Sequence, residues 1–193
     1  MDEMTFWALM DELSRRPGDR HARLEWLRGE LRRRPAPETA EFQALLETAC
    51  AAVATDGLWR AVDRIEGGLC SDDGFGYFAL WLVAQGQETY EAVLADPDAL
   101  ADAAEVRALV GRHTREWCDD EWPEWEELDY VAREVFDELT GQESDSGEAF
   151  YEALEAVQEA GAEPEEEADA ADDATVRTQT PRLDALFPAG SAS

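Results

Sequence analysis

The sequence contains no lysine: its sixteen basic residues are all Arg, set against 46 Asp and Glu. With so much Ala beside them, this bias suits a GC-rich bacterial genome, and no function is read from it. Two His and three Cys are too few for a His-based zinc site, and no Cys-x-x-Cys, His-x-x-x-His or EF-hand spacing occurs. Cys50, Cys70 and Cys118 form an odd, widely spaced set, which suits reduced thiols in a cytosol better than a disulfide framework. Met1-Asp2-Glu3-Met4 lacks the basic stretch and apolar run of a secretory signal, and nothing approaches a membrane span. A cytoplasmic location is expected. There is no phosphate-binding loop, no Gly-x-Gly-x-x-Gly after a strand and no Gly-x-Ser-x-Gly elbow, which removes the easily recognised nucleotide and hydrolase classes. No cofactor and no catalytic residue is assigned on this basis.

Period-2 alternation rich in β-branched residues is also missing, whereas helical periodicity recurs along the chain. Phe75, Phe78, Ala79, Leu82 and Val83 share one helical face, as do Leu128, Val131, Ala132, Val135, Phe136 and Leu139. Further helices are expected over 5–15, 20–33, 38–54, 58–66, 88–94, 106–117 and 147–160. Pro17-Gly18-Asp19, Pro35-Ala36-Pro37, Asp56-Gly57, Gly67-Gly68, Gly86, Asp96-Pro97-Asp98 and Gly141 punctuate them. The expected fold is all-α, a compact single-domain array of about nine short helices with a disordered acidic C-terminal tail. Residues 1–141 form the domain, 142–161 an additional helix and 162–193 the tail. No large apolar residue lies between Ala162 and Ala174, so that stretch buries too little to offset its ordering entropy.

The net charge of −30 is unevenly placed. Residues 1–36 hold eight Arg against seven acids, while residues 116–173 hold twenty-four acids against Arg133 alone. Such a surface repels phosphate backbones and anionic head groups within a Debye length of ~8 Å in physiological salt, disfavouring direct nucleic-acid or membrane binding. The Arg-rich stretch 15–34 can instead pair with the protein's own acids or with an acidic partner.

Two aspartate pairs invite a chemical reading. Asp72 and Asp73 follow a glycine turn, and Asp96 and Asp98 flank Pro97. As chemistry they are metal ligands or an acid–base pair. As structure, Ser71 and Asp96 cap helices whose first turns hold the other acids, where the macrodipole favours negative charge by ~0.3–1 kcal/mol each. The second reading is preferred, because a helix N-terminus favours the ionised carboxylate whereas a general acid must keep its proton. A metal role would require the two pairs to converge in space.

His113 falls on the apolar stripe of Val106, Leu109 and Val110, which suits a core or boundary histidine. Trp117, Trp122 and Trp125 stand among seven acids from Glu116 to Glu127. They either engage a cationic partner or, as preferred here, cover the end of the core. In the tail, Leu183, Leu186 and Phe187 precede Pro188 and could dock as one helical turn in a partner's groove, although a chance cluster is the preferred reading.

Leu58-Trp59, Gly67-Gly68, Cys70-Ser71-Asp72-Asp73-Gly74-Phe75, Tyr77-Phe78, Trp81-Leu82, Gln85-Gly86, Tyr90 and Asp96-Pro97-Asp98-Ala99-Leu100-Ala101 form a pattern. With Phe6-Trp7 and Tyr130-Val131-Ala132, it resembles the bacterial domain-of-unknown-function family 4240, frequent in actinobacteria, over roughly residues 4–141. The resemblance implies one helical domain with an acidic appendage, and no reaction. Similar members carry Arg after the Tyr-Phe pair where this chain has Ala79, so an Arg–carboxylate unit would be incomplete here. The candidate binding residues are Asp72, Asp73, Trp81, Asp96, Asp98 and Glu127, their acids holding a cation or a basic group.

The leading expectation is a non-enzymatic regulatory or interaction protein with a protein partner, basic in character if the acidic surface is its contact. An enzyme or metal-dependent binder using the four aspartates is the alternative. A nucleic-acid mimic, whose carboxylates imitate phosphates, is a third.

Overall fold

The computed structural model describes residues 1–141, 147–161 and 179–188. Among these, ten α-helices and four short 3-10 turns occur, with no strand. They gather into two compact units, each assembled from segments far apart in sequence.

The first unit contains α1 (Glu3–Arg15), α2 (Arg20–Arg32), most of α3 (Ala36–Val53), a turn at Glu126–Asp129, α8 (Val131–Thr140) and α9 (Glu148–Gly161). Asp2 and Asp19 start the first two helices by accepting from the Thr5 and Ala22 N–H groups at 2.8 Å. The apolar stripe of α1, with Phe6, Leu9, Met10 and Leu13, is buried, as are Leu24, Leu27 and Leu31 of α2. Each such side chain contributes about 1.5–3 kcal/mol of burial. Between these stripes lies Arg23, itself buried, whose Nε donates to the Leu13 carbonyl at 3.1 Å. Gly141 closes α8 in the left-handed region at φ 67°, where a side chain would be strained.

Much of the Arg-rich stretch pairs with acids of this unit. Arg28 pairs with Glu134, and Arg32 makes a two-pronged contact with Glu138 at 2.5 and 2.8 Å, joining α2 to α8.

The second unit contains α4 (Asp56–Ile65), α5 (Asp72–Val83), α6 (Gln87–Ala95), a 3-10 turn at Pro97–Asp102, α7 (Ala104–Ala108), two further turns at Thr114–Glu116 and Asp119–Glu121, and α10 (Pro181–Leu186). Its centre is a file of aromatic rings: Trp59 lies 4.8 Å from Phe75, Phe75 5.9 Å from Phe78, and Phe78 5.5 Å from Trp81. Much of the family-like pattern read in the sequence is therefore core and helix start.

The helix expected over 106–117 is corrected. Only Ala104–Ala108 is α-helical, because Gly111 turns the chain at φ 76° and His113 caps the next turn. Of the expected tail, 162–178 and 189–193 lie outside the described residues, while 181–186 fold into α10. Among the described residues, no helix is long and apolar enough to cross a membrane.

Candidate functional site

Ser71 caps α5 by accepting from the Gly74 N–H at 3.0 Å, which leaves Asp72 and Asp73 exposed in the first turn. Asp96 does the same for the Pro97–Asp102 turn, accepting from the Asp98 N–H at 3.1 Å. Both starts are the capping arrangements their sequences specify. Trp81 is buried in the aromatic file, and its indole N–H donates to Glu105 Oε2 at 2.5 Å, tying α5 to α7. Glu127 is exposed on the Glu126–Asp129 turn of the first unit, whereas the four aspartates belong to the second. Among the described residues, no group of three or more His, Cys, Asp or Glu side chains is arranged to hold a metal ion.

Asp98 is different. Its side chain is only 4% exposed, and it turns away from its own helical turn to receive another. Oδ1 and Oδ2 each accept from the Arg182 N–H at 3.0 Å, and Oδ1 also accepts from the Leu183 N–H at 2.9 Å. These are N–H groups of the first turn of α10, which have no partner within their own helix. Thr180, the residue in the cap position, makes no side-chain capping bond, so Asp98 supplies the cap from another part of the chain. A carboxylate accepting backbone N–H groups makes hydrogen bonds roughly twice as strong as neutral ones.

The rest of the segment is complementary. Leu183 is fully buried, α10 packs on both α4 and the Pro97–Asp102 turn, and Thr180 is buried beside it. Arg182 pairs with Asp102, and Asp184 accepts from Arg64 Nε at 2.9 Å. The Arg182 guanidinium holds the Asp102 carboxyl below the usual carboxylate range, chiefly through their hydrogen bond. Leu186 and Phe187 are half-buried. The apolar cluster of the tail thus sits on the chain's own second unit.

The indoles cover core. Trp125 is 1% exposed and its backbone N–H donates to the Tyr77 carbonyl at 3.0 Å, while Trp117 packs edge-on against half-buried Trp122 at 4.9 Å. Arg112 holds this acidic stretch in shape, donating to both oxygens of Glu121 at 2.5 and 2.8 Å. Those bonds, with the Cys118 N–H, draw the Glu121 carboxyl down to about 2.

One cluster was not anticipated from the sequence. Glu66, at the C-terminal end of α4, is 1% exposed, and its Oε1 has no hydrogen-bond partner among the described residues. Burial, then the charges of Glu124 and Asp63, push its carboxyl up to about 7, against a smaller opposing effect of a hydrogen bond with Cys70. Cys70 is pushed up to about 12 by burial and by Glu66, so it stays a thiol and is no nucleophile at neutral pH. The signal was available: position 66 continues the buried stripe of Leu58, Val62 and Ile65.

The model of the family described as a protein of unknown function (DUF4240) matches residues 1–138, and the chain belongs to that family. No curated protein and no solved structure matches it.

Proposed function

We propose that this member of a family of unknown function is a non-enzymatic protein-interaction module, and that it works by seating a short helical segment of a protein partner. The observation that carries the reading is Asp98, a buried carboxylate within the family-matched region whose hydrogen bonds go to the leading N–H groups of a helix outside that region. A site of this build recognises backbone direction through the carboxylate and side-chain identity through the apolar anchor beside it.

Other observations support it. Asp96 caps its own turn and Asp98 caps α10, which gives these two of the four aspartates structural work. Cys70 is held as a neutral thiol. The net charge of −30 argues for a protein partner and against nucleic acid or an anionic membrane.

The test is selection of short random peptides on the full-length chain carrying Leu183→Asp, which unseats α10, followed by binding measurements on that chain with and without Asp98→Asn. Peptides that bind the Leu183→Asp chain and lose at least about tenfold in affinity once Asp98→Asn is added, the loss of a charged hydrogen bond, support the reading. Selected peptides that bind both chains equally well contradict it.

A further inference from the structure

The segment that occupies the Asp98 seat has a readable chemistry. Pro181 stands at the first helical position, where its missing N–H costs nothing. Arg182 meets Asp102, Leu183 is the buried anchor, Asp184 meets Arg64, and Leu186 and Phe187 are half-buried at the end of the turn. Both signs of charge are matched in order along the segment: acids of the seat face its leading N–H groups and Arg182, and a base faces Asp184. A chance apolar contact would fix neither direction nor register. Here both are fixed by three backbone hydrogen bonds and two ion pairs.

The seat and its occupant also differ in origin within the chain. Asp98, Asp102 and Arg64 lie inside the family-matched residues 1–138, and the occupant lies beyond them, after an acidic run at 162–178. Resting on the interaction reading above, we infer that the seat formed by α4 and the Pro97–Asp102 turn is a receptor for short helical peptides of the pattern Pro-Arg-Leu-Asp-x-Leu-Phe. The chain's own residues 180–187 are its resident competitor, holding in cis the place that a partner protein's segment of that pattern takes. Because the competitor is tethered, it acts at an effective concentration on the order of millimolar. Only a partner segment that binds well, or one delivered at high local concentration, displaces it. The contact is therefore a threshold on partner binding.

The experiment uses a fluorescent peptide of residues 179–188 and the full-length chain as wild type, Leu183→Asp, and Leu183→Asp combined with Asp98→Asn. Anisotropy titrations read the affinity, and circular dichroism and thermal melting confirm that each chain is folded. Emptying the seat with Leu183→Asp is expected to tighten peptide binding at least about tenfold relative to wild type, as removal of a tethered competitor requires. Adding Asp98→Asn is expected to abolish that gain. Arg182→Ala, which removes only the Asp102 pair, should give an intermediate affinity, and supplies the comparison should Leu183→Asp not fold.

Equal affinity for wild type and the opened chains, or binding to none of them, overturns the inference. So does a wild-type dimer that Leu183→Asp converts to monomer, since the segment would then be exchanged between copies instead of docked in cis. If the 179–188 peptide fails while library-selected peptides still depend on Asp98, this inference falls and the interaction reading stands. If both fail, both fall.

Discussion

At Glu66 the fold holds a carboxyl against its own electrostatics. Its folded value of about 7 lies above the ordinary 4.5, so between those values the native state keeps a proton that the unfolded chain has released. Stability must therefore fall as pH rises through that window and level off above it. Glu66→Gln keeps the shape and removes the titration. The variant is expected to lack this fall and to exceed wild type above pH 7 by on the order of 2 kcal/mol, read from urea unfolding at a series of pH values. An unchanged pH profile would contradict the assignment. Asp98 makes a second prediction at this scale. Asp98→Ala leaves the leading N–H groups of α10 without an acceptor, at a cost of about 1–3 kcal/mol, and should expose 179–188 to proteolysis before the rest of the fold yields.

Residues whose role is set by near neighbours were legible in the sequence. Ser71 and Asp96 were identified as caps because the N–H they accept lies two or three residues on. Asp98 looked like a first-turn acid for the same local reason. Its true partners lie 84 and 85 residues away, and no local pattern encodes that pairing. Glu66 was hidden differently: its position on the apolar stripe was visible, but the charge of Glu124 beside it depends on how the chain returns.

At the scale of elements, periodicity located α1 to α4, α6 and α9 to within two residues at each end, since each has a stripe that buries and a residue that stops it. The stretch 106–117 failed because its apolar spacing continued past the place where Gly111 reverses the backbone. Turn glycine outweighed periodicity there. Between α2 and α8, the Arg32–Glu138 contact lowers the Glu138 carboxyl and raises the Arg32 guanidinium, mainly through their mutual hydrogen bond. Both side chains are more than 40% exposed, so the pair should be worth little. A double-mutant cycle of Arg32→Ala and Glu138→Ala is expected to give a coupling of about 0.2–1 kcal/mol that shrinks with added salt. A coupling that survives molar salt would mean the contact is drier than its exposure implies.

Across the whole molecule, a charge of −30 on 193 residues sets a background of self-repulsion that local pairs such as Arg32–Glu138 relieve only in part. Raising salt to about 0.1 M shortens the Debye length to ~10 Å, and the melting temperature is expected to rise by a few degrees even though individual ion pairs weaken. A fall would show that specific pairs outweigh net repulsion. The same charge frames the functional account: α10 brings Arg182 to Asp102, a local charge match on a strongly acidic chain.

Amide hydrogen exchange at Arg182 and Leu183 in the full-length chain tests that recognition most directly. The account predicts slow exchange of both N–H groups in wild type and exchange at the rate of an open chain in Asp98→Asn, with α5 and α8 unaffected. Fast exchange of both in wild type would contradict it.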